Sequence, residues 1–235
     1  MTPQVILLDI EGTTSSTSYV REHLYPYGLS RFFDYLNERR DSDEVHQVLA
    51  EIREIIEEPS AELERCVWWL KHWVETDQKI TPLKTIQGWI FPDGFARGEL
   101  TSHFYPDVIP VLRQWHSLGY AMSIFSSGAA PTQKAWFGAS PEGDLRPMIR
   151  NHFDTVNIGP KKEASSFRTI ALKLNVEPHQ ILFLSDLVVE LDCAREAGYQ
   201  TIGVRRQGDE YFEQGVGDHK AVLSFEDIQL DGADL

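Results

Sequence analysis

Short apolar runs alternate with helical periodicities along most of this chain. Val5-Ile6-Leu7-Leu8 is apolar, partly β-branched, and bounded by Pro3 and Gly12. That pattern predicts a strand buried on both faces, as in a parallel sheet. Residues 120–125, 180–184 and 200–204 repeat it, and Phe153-Asp154-Thr155-Val156 is a weaker fifth run. Between them the spacing predicts helices over 108–118, 132–137, 164–174 and 188–197, the last closed by Gly198 as a C-cap. Strand then helix, repeated, predicts an α/β fold. Its core is a doubly wound, mainly parallel, Rossmann-like sheet with right-handed crossovers.

Residues 15–104 break the alternation. Helical periodicity runs through 20–36, 42–57, 61–74 and 83–89, with Pro59, Pro82 and Pro92 as punctuation. A crossover between parallel strands needs only about a dozen residues. The surplus predicts an all-helical cap subdomain, 15–104, inserted after the first strand into a core of 1–14 and 105–235. The last five residues, 231–235, are expected to fray.

Composition narrows the function classes. The 235 residues are 42% apolar and 25% charged, which excludes disordered and collagen-like classes. The net charge of −14 argues against nucleic acid and anionic membrane as partners. An anionic substrate stays open, because a metal or a few donors can reverse the field in one cleft. Cys66 and Cys193 are too few for a disulfide framework or a zinc site. No apolar stretch approaches a membrane span, and the opening residues lack the basic region of a signal peptide. The expectation is a soluble cytoplasmic protein.

In open α/β sheets ligands bind beyond the carboxyl ends of the strands. Asp9-Ile10-Glu11-Gly12 follows the first predicted strand. Asp9 and Glu11, two apart, project to the same side of extended chain and repel unless a proton or cation lies between them. A hard cation held by oxygens, with Mg²⁺ the leading choice, resolves this; a solvated acidic loop is the alternative. Ser126-Ser127-Gly128 follows the second run, as an anion-binding turn or an ordinary helix cap. Lys161 precedes the helix at 164, as a phosphoryl partner or a surface lysine. Asp186 follows the run at 180–184 as a third anionic group near the cation. Glu190, four residues on, either faces the cation too or only favours its helix N-terminus. Together these residue types suit phosphoester hydrolysis: a carboxylate nucleophile, an acid/base carboxyl, a cation and a lysine.

The pattern resembles the haloacid dehalogenase superfamily. Asp9 and Glu11 match its first motif, Ser126 its second, Lys161 its third and Asp186 its fourth. Most phosphatases of that superfamily carry Asp where this chain has Glu11. Asp9-Ile10-Glu11-Gly12-Thr13-Thr14 looks specifically like the enolase-phosphatases, or acireductone synthases, of methionine salvage. So do Tyr25-Pro26-Tyr27, Leu83-Lys84-Thr85-Ile86-Gln87-Gly88, Gly98-Glu99-Leu100, Tyr105-Pro106-Asp107-Val108, Ser126-Ser127-Gly128 with Gln133-Lys134, Gly143-Asp144-Leu145 and His152-Phe153-Asp154-Thr155. The chain departs from that family at Ala129, often Ser, and at Phe125 and Phe167, often Tyr.

The resemblance implies a helical cap after the first motif and a two-step reaction. 5-Methylthio-2,3-dioxopentyl phosphate is enolised, then dephosphorylated to 1,2-dihydroxy-5-methylthiopent-1-en-3-one. It implies Asp9 as nucleophile and Mg²⁺ ligand and Glu11 as acid/base, with its main-chain carbonyl on the metal. Asp186 is the other ligand. Ser126, Ser127, Gly128 and Lys161 hold the phosphoryl group; the resemblance assigns Glu190 no role, and it stays a candidate to support the site from behind. The expected partner is a small phosphorylated diketone and the expected state a monomer. The cap aromatics Tyr25, Tyr27, Trp68, Trp69, Trp73, Trp89 and Phe91 either hold the methylthio tail or are cap core. His23, His72 and His103 read as structural or exposed. Glu54, Glu57, Glu58, Glu62 and Glu64 read as a solvated helix face. Two other readings stay open: a capped phosphatase for another small monoester, and a receiver-like phosphoacceptor switch.

Overall fold

The computed structural model describes residues 2–230; the expected frayed tail, 231–235, lies outside the described residues. Its centre is a six-stranded sheet, all parallel, in the order β3-β2-β1-β4-β5-β6. The strands are β1 (Val5–Leu8), β2 (Ala121–Phe125), β3 (Ile149–Phe153), β4 (Ile181–Ser185), β5 (Gln200–Val204) and β6 (Lys220–Val222). β1 is central because every residue in it is apolar and buried. Its alternate residues feed two cores. Ile6 and Leu8 join one with Val108, Leu112, Trp115 and Phe137; Val5 and Leu7 join the other with Phe167, Ile170 and Leu191. A continuous apolar strand therefore covers two helical layers at once.

The structure shifts one expected strand and adds one that was not expected. The weak run at 153–156 only touches β3, which lies upstream at Ile149–Phe153. Arg150, Asn151 and His152 hid it, because on an outermost strand the middle residues reach solvent. β6, three residues long at the opposite edge, gave no pattern to read.

Between β1 and β2 the chain is helical. It forms α1 (Thr17–Tyr19), a π-helical turn (Val20–Leu24), α2 (Tyr25–Glu38), α3 (Asp43–Ile55), α4 (Leu63–Glu75) and α5 (Thr81–Ala96). Ser42 caps α3 by accepting from the Val45 N–H. Pro92 does not end its helix, contrary to expectation; α5 runs through it. The proline forfeits one hydrogen bond and strains one turn, at about 3 kcal/mol. Burying Ile90, Phe91 and Phe95 around it returns more, at roughly 1.5–3 kcal/mol each.

The remaining helices are α6 (Val108–Ser117), α7 (Ala130–Gly138), α8 (Ala164–Leu174) and α9 (Val188–Glu196). α9 ends as Gly198 predicts: this glycine takes a φ of +93°, and the next N–H, on Tyr199, bonds the Ala194 carbonyl at 3.0 Å. Among the described residues no helix is long and apolar enough to cross a membrane.

Candidate active site

The sheet order reverses between β1 and β4, so the crevice opens beyond their carboxyl ends. Leu8 is level with Ile124 on one side and Leu184 on the other. Residues just past these three therefore converge.

The loop after β1 is wound tightly. The Thr13, Thr14 and Ser15 N–H groups all donate to the Ile10 carbonyl, at 3.2, 3.0 and 2.9 Å. Gly12 makes the turn with φ +71°. Arg206 clamps the loop from behind: its Nε donates to the Thr13 carbonyl at 3.0 Å, and Nη1 grips both Asp107 oxygens at 2.9 and 2.8 Å. This pair joins a buried arginine to a half-buried aspartate 99 residues away, and no local signature in the sequence marks it.

Asp9 Oδ1 accepts from the Ile10 N–H and from Lys161 Nζ, both at 2.7 Å. Lys161 Nζ also sits 2.6 Å from Glu190 Oε2, and Ser185 Oγ donates to that same oxygen at 3.0 Å. Asp9, Lys161, Asp186 and Glu190 are all buried. Burial alone would ease loss of the Lys161 proton, but the Asp9 and Glu190 carboxylates outweigh it and leave the ammonium harder to deprotonate than an ordinary lysine. Burial and the Asp9 charge push the Asp186 carboxyl up to about 8. Burial pushes Glu190 up to about 7 against the pull of Lys161. Glu11, half-buried, is raised by burial, with Lys79 opposing and Asp9 reinforcing.

Asp186 forms no ion pair among the described residues. Its carboxylate occupies the space where a Cβ on Gly12 would stand. Asp9 and Glu190 share Lys161, and Glu11 and Asp186 border the same crevice; oxygen donors of this kind suit a hard divalent cation. On the other flank Ser126 Oγ accepts from the Gly128 N–H at 3.3 Å. Asp154 fixes the following helix by accepting from the Ala130 N–H at 2.7 Å.

The structure thus brings Asp9, Glu11, Ser127, Lys161, Asp186 and Glu190 to one open crevice. The segment after β1 contributes Arg21 from the π-helical turn, Lys79 from the α4–α5 connection and Lys84 from α5 to its far wall, cations that the sequence motifs do not single out. Lys84 Nζ donates to Thr155 Oγ1 across the gap at 2.7 Å, and Arg21 meets Glu210 at 2.7 Å. Lys84 lies within the segment 83–88 that carries the resemblance, which is the signal that could have found it.

From Glu11 and Ser126–Gly128 a second, mostly apolar cavity runs between the helices. Val20, Leu24, Tyr25, Trp73, Phe91 and Trp136 line it. Of the expected tail-holding aromatics, Tyr25, Trp73 and Phe91 border this cavity. Trp68 is half exposed and stacks on His72. His23 is exposed, and His103 is held by Ser15 Oγ at 3.1 Å. Glu54, Glu57, Glu62 and Glu64 are exposed, while Glu58 pairs with Arg65 at 2.6 Å.

A family model described as haloacid dehalogenase-like hydrolase matches residues 3–198. The enolase-phosphatase E1 of Streptomyces avermitilis is 52% identical over 225 residues, covering 96% of this chain and 94% of that protein. The enolase-phosphatase E1 of Pseudomonas fluorescens is 42% identical, covering 97% and 98%. Among solved structures, the UTR4 protein of Saccharomyces cerevisiae superposes with a TM-score of 0.77 at 28% identity, covering 96% of this chain and 100% of that one. CbbY of Rhodobacter sphaeroides, solved with phosphate, shares the fold at a TM-score of 0.60 and 17% identity, covering 97% and 96%.

Proposed function

The chain belongs to the enolase-phosphatase family of the haloacid dehalogenase-like hydrolases, and we propose that it converts 5-methylthio-2,3-dioxopentyl phosphate to the acireductone of methionine salvage. One observation carries the proposal. A crevice holding Asp9, Glu11, Lys161 and Asp186 leads, through Glu11 and Ser127, into an apolar cavity. A phosphorylated head and an apolar tail have separate surroundings there.

The phosphoryl group rests on Ser126, Ser127 and Gly128, with Lys161 neutralising its charge. Lys161 already holds Asp9 Oδ1 through a 2.7 Å contact, which leaves Oδ2 as the attacking oxygen. Attack forms an aspartyl-phosphate and breaks the phosphorus–oxygen ester bond. Glu11 protonates the departing enol oxygen and then takes a proton from the water that hydrolyses the intermediate. Its raised affinity for protons suits both duties. The same carboxylate is our choice of base for the earlier enolisation, in which C1 loses a proton and the C2 oxygen gains one.

Asp9, Asp186 and the main-chain carbonyl of Glu11 would hold Mg²⁺, which when bound lets an anionic nucleophile meet an anionic phosphate. Glu190 supports the site by orienting Lys161. We assign residues 1–14 and 105–235 to the catalytic core and 15–104 to a cap that closes over it, excluding water. The two free cysteines fit a reducing cytoplasm.

The test pairs ultraviolet absorbance of the enol with phosphate release, using a 2,3-diketo-1-phosphoalkane with Mg²⁺, with and without EDTA. Both signals, both abolished by chelation, are expected. Phosphate release from simple esters without any enol would leave a plain capped phosphatase. Stable phosphorylation of Asp9 by a small phosphodonor, with neither signal, would make the protein a switch.

A further inference from the structure

Three polar atoms on α7 are buried without a hydrogen-bond partner: Thr132 Oγ1, Gln133 Oε1 and Trp136 Nε1. All three residues line the cavity that begins at Glu11 and the Ser126–Gly128 turn. Gln133 is only 2% exposed. Its amide cannot be turned round. Nε2 donates to the Gly128 carbonyl at 2.7 Å and to the Phe153 carbonyl at 2.9 Å. Flipping the amide would set its oxygen against both carbonyls. Gln133 Oε1 is therefore a fixed acceptor, held one hydrogen bond from the phosphate-binding turn, and it lacks a donor. Leaving such a group unpaired is costly, so a bound ligand that supplies a donor gains over one that does not.

Under the reaction assigned above, the ligand changes in this respect at one step. The diketone offers only acceptors at C2 and C3. Enolisation removes a proton from C1 and places one on the C2 oxygen, giving a hydroxyl donor beside the remaining C3 carbonyl. We propose that Gln133 Oε1 accepts the C2 hydroxyl of the enol, while an N–H or O–H of Trp136 or Thr132 donates to the C3 carbonyl. The cavity wall then matches the enol, one donor and one acceptor, better than the diketone. Gln133 stabilises the state formed by enolisation and contributes to that step alone. This assignment rests on the proposed enolase-phosphatase reaction.

Two variants separate this role from the loop support that Nε2 provides. Gln133→Met loses both the donors to Gly128 and Phe153 and the acceptor, whereas Gln133→Glu, protonated in this buried position, keeps one O–H donor to those carbonyls and the acceptor. Each is assayed on the diketone phosphate for enol formation and on phenyl phosphate, which cannot enolise. In Gln133→Met the ratio of enol formation to phenyl phosphate hydrolysis is expected to fall about 10- to 100-fold. In Gln133→Glu that ratio stays within about threefold of wild type. A parallel fall on both substrates in both variants would reduce Gln133 to a loop support and overturn the proposal.

A measurement on the unaltered protein covers the case in which the variants do not fold. The holoenzyme should bind a 2-hydroxy-3-ketoalkylphosphonate about tenfold more tightly than its 2-fluoro counterpart, which has similar size and no donor. Equal affinities would overturn the proposal. Wild-type enzyme that makes no enol at all would overturn the assigned reaction instead, and this inference with it.

Discussion

Gly12 and Asp186 meet across the β1–β4 switch point with no room for a side chain between them. A methyl group on Gly12 would overlap the Asp186 carboxylate, and Gly12 also turns with φ +71°. Gly12→Ala should therefore displace Asp186, weaken divalent-cation affinity and lower kcat/KM by about 100-fold or more. Gly98→Ala is the control. It shares a φ of +70° but faces open space, so it should cost about 1 kcal/mol of stability and leave kcat/KM unchanged. Titration of each variant with Mg²⁺, beside thermal melting, checks both.

Among the described residues, Lys161 is the one cation bonded to two buried carboxylates, Asp9 at 2.7 Å and Glu190 at 2.6 Å. Removing one member of such a group leaves uncompensated charge, at about 3–5 kcal/mol. Lys161→Met should unfold at lower denaturant and lose phosphatase activity by about 1,000-fold. The stability loss should shrink between pH 8 and pH 6, because Glu190 and Asp186 take up protons over that range and the repulsion fades. Urea unfolding at the two pH values measures it. An equal loss at both would show that the cost is packing, not charge.

These two sites show which parts of the molecule local chemistry makes legible. Val5–Leu8 is apolar at every position, so it could only be a strand with both faces covered, and Asp9 and Glu11 follow from where it ends. Asp186 and Lys161 are legible for the same reason, each sitting just past a buried strand or just before a strongly periodic helix. The edges are not. β3 has the polar run Arg150-Asn151-His152, and only the neighbouring strand makes it one. Pro92 is a helix breaker by local rule, overruled by the burial of Ile90, Phe91 and Phe95. The Arg206–Asp107 clamp and the cations Lys79 and Lys84 depend on contacts between distant segments, which spacing along the chain does not encode.

Metal binding and pH should be linked with a definite sign. Burial raises Asp186 to about 8, so without metal the folded protein keeps protons that the unfolded chain has already released above pH 4. Metal-free stability therefore declines as pH rises from about 5 to 8. A cation must displace those protons, so its affinity should rise by up to tenfold per pH unit for each proton released. The increase in Tm on adding Mg²⁺ should accordingly be small at pH 6 and largest at pH 8. A shift in Tm that is the same at both would mean that Asp186 is ionised throughout.

The lining of the apolar cavity separates one tryptophan from another. Trp73 is buried and borders it, while Trp68 is half exposed and stacks on His72. A methylthioethyl tail enclosed against the Trp73 ring gains about 0.8 kcal/mol for each buried methylene equivalent. Trp73→Leu forfeits part of that contact, on the order of 1–2 kcal/mol, and should raise KM for the methylthio substrate about tenfold. The same variant acting on a diketone phosphate that ends at C4 should show little change in KM, since that molecule lacks the methylthio tail. Trp68→Ala should alter neither substrate and shift stability by less than about 0.5 kcal/mol. Comparing the two substrates within one variant cancels any general loss from repacking. If Trp73→Leu raised both KM values together, the cavity would be cap core rather than the tail's binding site.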